Sequence, residues 1–273
     1  MSQRKTMTVT DIQDYVPENE WPSVSTMLDG FGNQTLPASS ALTGKVLHLP
    51  GDGARPTTCT FHDAHSLTWS RADGGLDQAG AARYKAIEAR PGIFIIDFVT
   101  GEDLAAENVT IIYDSNTGAV TTAVTSFVNE GGKVRSTTRF SHGNVNGSAP
   151  VHLRSTALVG KRIYYRYSDV ETYEHIYLNA GTFTWHCLRG GEAGLADTDR
   201  CMAFDVAEDL YLFFWTEKVM TVEAVLLIDL REQRSIGRMF GWDEPAAEPV
   251  ILPFNSRLTV LNTTEYPRDN HKH

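Results

Sequence analysis

Apolar residues along this chain arrive in short runs rich in Val, Ile, Thr, Tyr, Phe and Trp. Turn-forming segments interrupt them at roughly ten-residue spacing, the pattern of consecutive β-strands. In the first half the pattern predicts strands near residues 44–49, 56–62, 65–70, 81–89, 92–99, 108–114, 118–128 and 132–140. Gly-Asp-Gly at 51–53, Asp-Gly-Gly at 73–75, Asn-Thr-Gly at 116–118 and Glu-Gly-Gly at 130–132 supply turns, because Gly and Asn tolerate positive φ. In the second half strands are predicted near 161–168, 171–178, 182–189, 199–206, 209–216, 220–229, 233–240 and 256–262. Helix is confined to the N-terminal region, around Asp11–Tyr15 and Trp21–Leu28.

The two halves match one another. Ala41-Leu42-Thr43-Gly44-Lys45 returns 116 residues later as Ala157-Leu158-Val159-Gly160-Lys161, and Leu67-Thr68-Trp69 returns as Phe183-Thr184-Trp185 at the same offset. Arg83 and Ala86 match Arg200 and Ala203, and Ile93–Phe98 matches Leu210–Trp215, both at 117. Asp114 matches Asp229 at 115. Ordered matches with so little drift mark a duplicated unit. The expectation is an all-β protein of two tandem antiparallel β-barrels, since closing eight strands removes exposed edges; a sandwich is the alternative. The divisions expected are an extension or lid at 1–40, a first barrel at 41–142, a linker at 143–156, a second barrel at 157–264 and a disordered tail at 265–273. Gly30-Phe31-Gly32, in the extension, suits a lid or plug over a barrel mouth.

Charge and composition narrow the partners. The formal net charge is −10, and no Lys/Arg run would form a phosphate-binding patch, which argues against nucleic acid. Three cysteines without a CxxC pair point away from a disulfide framework. The N-terminus lacks the apolar core of a signal peptide, and no run approaches the roughly 20 apolar residues of a membrane span. A cytoplasmic protein with no membrane partner is expected, with a homodimer the commonest assembly.

Candidate chemistry concentrates in the second half. The period-two rule puts Tyr211, Phe213, Trp215 and Glu217 on one face of their strand, with Leu210, Leu212, Phe214, Thr216 and Lys218 on the other. It likewise groups Tyr173, His175 and Tyr177, and groups Phe183, Trp185 and Cys187 with His186 opposite. Facing a lumen, these would form an aromatic pocket holding an imidazole and a carboxylate. Burial moves both groups toward neutrality, so Glu217 and His175 are the candidate catalytic pair. Trp185, Tyr173, Tyr211 and Trp215 would stack on a substrate, and Lys218 or Arg200 would hold an anionic group. The loop Gly190–Arg200 reads as a solvated loop, or as the shaper of an entrance. His62-Asp63-Ala64-His65 has HxxH spacing, but its histidines converge only if a turn intervenes, and no metal is assigned there. No GxGxxG, Walker loop or GxSxG occurs.

The segment Thr182-Phe-Thr-Trp-His-Cys-Leu-Arg-Gly-Gly, continuing to Cys201, resembles the MoaF family, as do Asp209–Lys218, Ile228-Asp-Leu230, Ser235-Ile-Gly237 and Phe240-Gly241. Trp21-Pro-Ser, Gly30-Phe31 and Leu42-Thr-Gly44 are similar to the same family's first domain, so the resemblance spans about residues 20–264. It implies paired lipocalin-like, or calycin-like, domains. The positions filling the second-domain motif are Trp185, Cys187, Asp197, Asp199, Tyr211, Trp215, Glu217 and Lys218. Phenolic acid decarboxylases of the wider superfamily use a similar barrel without a cofactor. The functional expectation is a small, aromatic organic ligand and no cofactor, leaning to a lyase, isomerase or cyclase. A non-catalytic carrier or sensor is the alternative, and an accessory role in molybdenum cofactor synthesis a third.

Overall fold

The computed structural model describes residues 16, 20–24, 30–51, 56–71, 78–147 and 149–265. The first half is one meander of β1 (Val46–Leu49), β2 (Thr57–Phe61), β3 (Ser66–Arg71), β4 (Gln78–Arg90), β5 (Ile93–Thr100), β6 (Glu107–Asp114), β7 (Ala119–Glu130) and β8 (Lys133–Asn144). Each strand pairs antiparallel with the next. The sheet curls, with Leu47, Leu49, Cys59, Phe61, Leu67, Tyr84, Phe94, Ile96 and Ile111 in its concave core. It does not close. Among the described residues β1 and β8 form no backbone ladder; their edges meet where Ser141 Oγ donates to the Pro50 carbonyl at 2.9 Å. A Cβ on Gly143 would stand 2.2 Å from the Pro50 ring, so the proline occupies the place of a side chain. Proline carries no N–H to donate across that seam. The expected first barrel is therefore corrected to an open half-barrel.

The second half does close. It comprises β9 (Lys161–Arg166), β10 (Thr172–Asn179), β11 (Thr182–Arg189), β12 (Ala196–Ala207), β13 (Leu210–Thr216), β14 (Val222–Asp229), β15 (Arg234–Asp243), β16 (Glu248–Pro253) and β17 (Ser256–Thr263). Strands β9 to β15 pair in sequence; β17 then joins β15 through Arg234↔Arg257 and Ser235↔Ser256 and runs the length of β9. The result is an eight-stranded antiparallel barrel. The short strand β16, absent from the sequence-based expectation, lies outside it as a hairpin partner of β15. Among the described residues there is no α-helix, only a 3-10 turn at Asp103–Ala105 and isolated turns near Trp21. The helix expected at Asp11–Tyr15 lies outside the described residues, and that at Trp21–Leu28 does so in part.

The halves join sheet to sheet. Tyr211, Phe213 and Trp215 of β13 point into the barrel, while Leu210, Leu212 and Phe214 point out. The outward set packs against Ile87, Ile95, Ile112 and Ala123 of the first sheet. Strand β14 is consequently buried along its whole length. Its sequence runs Val-Glu-Ala-Val-Leu-Leu-Ile-Asp, the near-continuous apolar run that burial on both faces demands. Arg90 crosses the interface to Asp229 in a bidentate pair at 2.9 and 2.6 Å. The N-terminal extension crosses too: Phe31 is buried in the second barrel's core, stacked on Phe254 with centroids 5.0 Å apart.

Candidate active site at the rim of the second barrel

The barrel lumen is filled. Tyr165, Tyr167, Tyr173, Tyr177, Phe183, Trp185, Phe213 and Trp215 interlock in one aromatic core. His175 sits within it, its ring 4.3 Å from that of Tyr165 and 5.7 Å from that of Trp215. Burial drives its pKa down to about 3, so it is a neutral imidazole, with Nδ1 3.4 Å from the Tyr177 hydroxyl.

Toward one end this core turns acidic. Tyr173 donates to Glu192 Oε2 at 2.7 Å, Trp185 Nε1 to Asp199 Oδ2 at 2.9 Å, and Trp215 Nε1 to Glu217 Oε1 at 3.3 Å. Three lumen aromatics thus each hold a separate carboxyl. Burial raises all three: Asp199 to about 6, Glu192 above its ordinary value, and Glu217 well above, the last also repelled by Glu192 and Asp199. Lys218 acts on Asp199, but its Nζ lies 2.5 Å from Asp197. Among the described residues Glu192 Oε1, Asp199 Oδ1 and the Tyr167 hydroxyl are buried without a hydrogen-bond partner. Glu171 adds a fourth acid, accepting from Gly191 N–H at 3.0 Å. It fits only because residue 190 is glycine: a Cβ there would lie 1.8 Å from Glu171 Oε2. Over this rim sit Trp21, edge-on to Trp185 at 5.8 Å, and Phe31, 5.8 Å from Tyr173.

The candidates named from sequence divide by position. Trp185, Tyr173, Trp215 and Glu217 meet at the rim. The Trp215 indole contacts both His175 and Glu217, its ring against the one and its Nε1 on the other. Tyr211 stands at the opposite end of β13, near Asp205, Asp209 and Arg90. Arg200 and Lys218 are exposed and share with Glu217 an outer groove of about 680 Å³. Glu217 is therefore reachable from outside the barrel. The segment Gly190–Arg200, expected as a solvated loop, enters β12 at Ala196, and its Glu192 and Asp199 are 3% and 2% exposed. The signal for Asp199 was its alternation with exposed Arg200 and inward Cys201; nothing local marks Glu192. In the HxxH segment Asp63 does turn the chain, accepting from His65 N–H and Ser66 N–H at 2.7 Å. His62 bonds Thr68 instead, at 3.0 Å. Among the described residues no three His, Cys, Asp or Glu side chains group as metal ligands.

Fold and site together define a two-domain all-β protein, an open half-barrel joined to a closed barrel whose aromatic core ends in buried acids. Residues 19–129 match the MoaF N-terminal domain and residues 152–264 the MoaF C-terminal domain. Protein MoaF of Klebsiella aerogenes is 31% identical over 268 residues, covering 89% of this chain and 96% of its own length. The chain belongs to the MoaF family. A crystal structure from Burkholderia vietnamiensis, described as a "putative beta-lactamase", aligns at 20% identity with a TM-score of 0.33, covering 38% of this chain and 95% of its own. That score is too low to identify a shared fold.

Proposed function

We propose that this chain binds a small organic cation with an aromatic body at the acidic rim of the second barrel. The reading rests on one observation, the pairing of Tyr173, Trp185 and Trp215 with the carboxyls of Glu192 and Asp199, which are buried, and of Glu217, which is partly so. Burial and mutual repulsion both raise carboxyl pKa values and so favour the protonated form. A cation among them relieves the repulsion and ionises them. The aromatic faces add cation–π attraction of about 0.5–2 kcal/mol. Trp21 and Phe31 already rest against this rim, at the places where a planar group would stack. The groove beside Glu217 offers a route from outside, and Arg200 and Lys218 on its wall would meet any anionic substituent.

Calorimetric titration with 2-phenylethylamine, tryptamine, phenylacetate and cinnamate tests the charge preference. The amines bind and release protons, seen as a buffer-dependent heat; Asp199→Asn and Glu217→Gln each weaken them about tenfold or more, the scale of a lost charged hydrogen bond. Binding of the acids in place of the amines, or unchanged affinity in both variants, defeats the reading.

A second reading, cofactor-independent lyase, isomerase or cyclase chemistry, is favoured by the Glu217 carboxyl. Burial and the neighbouring acids raise its pKa well above the ordinary carboxylate value, and it lines the groove, as suits a general acid. His175 would serve such chemistry poorly, because a pKa of about 3 makes it a weak base. Product formation by the wild type that Glu217→Gln abolishes would establish this reading.

A further inference from the structure

A cavity of about 460 Å³ lies between the two halves, away from the barrel rim. Its size falls within the roughly 300–1,000 Å³ of small-molecule sites. One wall is the convex face of β4 and β5, where Ile87 and Ile95 are buried; the other is β15 and β16, with Ile236 and Ile251. At its polar end stands Arg238, 2% exposed.

The bonding of this arginine is unusual for a buried cation. Nε donates to Thr110 Oγ1 at 3.0 Å, one terminal nitrogen to the Glu223 carbonyl at 3.1 Å and the other to Thr125 Oγ1 at 3.2 Å. Two hydroxyls and a carbonyl thus fix the guanidinium rigidly. Asp97 pairs with Nε at 3.6 Å, and its Oδ1 also accepts from Thr110 at 2.5 Å. The Glu223 carboxyl also acts on Arg238, but it is engaged by Thr138 and Thr216. A fork-shaped guanidinium is suited to a carboxylate. Lys85, opposite Asp97 in the β4–β5 ladder, and Arg83 add two more cations to the lining, against Asp97.

We propose that this cavity is a second binding site, taking an organic monoanion with an apolar body, its carboxylate or sulfonate toward Arg238 and Lys85 and its hydrocarbon against the isoleucines. The site is independent of the rim and selects the opposite charge.

The test uses the full chain and the fluorescent anion 1-anilinonaphthalene-8-sulfonate. The dye binds with one-to-one stoichiometry, and octanoate displaces it while octylammonium does not. Lys85→Glu reverses a charge on the wall, and Ile251→Trp fills the cavity from a strand whose Ile251 is partly exposed. Each weakens dye binding about tenfold with circular dichroism unchanged. Arg238→Met is a third variant, interpretable only if it folds. Absence of dye binding, equal displacement by octylammonium, or unaltered affinity in both Lys85→Glu and Ile251→Trp overturns the proposal.

Discussion

His152 and Asp199 pull stability in opposite directions as pH changes. His152 is buried, its Nδ1 2.8 Å from Thr121 Oγ1, and burial lowers its pKa to about 4. Between about 6.5, the unfolded value, and about 4, the unfolded chain holds the proton and the folded chain does not. Its contribution therefore falls as pH falls through that window. Asp199 has the opposite sign. With its folded pKa near 6, its stabilisation is full below about 3.9 and is lost as pH rises through 6. Melting curves should show His152→Gln gaining on wild type as pH drops from 7 to 5, and Asp199→Asn gaining as pH rises from 5 to 7. Parallel curves would mean that neither group titrates differently in the folded chain. Arg90 and Asp229, with side chains 5% and 1% exposed, form a different kind of buried pair. Removing one partner strands the other charge, so Arg90→Met or Asp229→Asn should cost about 3–5 kcal/mol by urea unfolding, and Arg90→Met with Asp229→Leu should recover much of it. At this scale the sequence was partly legible. Alternation alone grouped Tyr173, Trp185, Trp215 and Glu217, because a strand leaves its side chains only two faces. Glu192 was not legible, since a glycine-flanked loop carries no period and its burial depends on Tyr173 from another strand.

Strands were the most legible elements. The prediction of strands at 118–128 and 132–140 found β7 and β8, although β8 runs on to Asn144. The inserted β16 escaped notice because Glu-Pro-Val-Ile-Leu-Pro, with proline at both ends of the apolar run, is punctuated like a loop. The extension at Gly30-Phe31-Gly32 invited a lid, and Phe31 penetrates the second barrel. It rests between Phe254 and Tyr167, with centroids 5.0 and 4.8 Å away. Phe31→Ala should lower stability by about 3–5 kcal/mol, the range for emptying a buried phenylalanine site. A loss below about 1 kcal/mol in guanidinium unfolding would show that the ring is not a structural plug.

The duplication was plain in the chain as a whole, because offsets of 115–117 residues align β3 with β11, β5 with β13 and β6 with β14. That only one copy closes was not, because closure is decided by segments of each unit that do not match the other. The barrel has β17 to return beside β9, whereas the first sheet ends with Pro50 at its seam. The shared apolar interface, the Arg90–Asp229 pair and Phe31 all tie one half to the other. Unfolding should therefore be a single transition, coincident by circular dichroism and tryptophan fluorescence; two separated transitions would show independent halves. The position of Phe31 also bears on how the chain is made. Residues 30–36 leave the ribosome before any of their barrel partners exist, and Phe254 follows more than two hundred residues later. At about 5–20 residues per second, that delay is about ten seconds or more. During synthesis an apolar ring must wait, unhoused, while the half-barrel beside it is already able to form. Later strands thus complete a structure begun by residues 30–36, and a chain halted before β16 would lack both the closing strand β17 and Phe254, the ring on which Phe31 stacks.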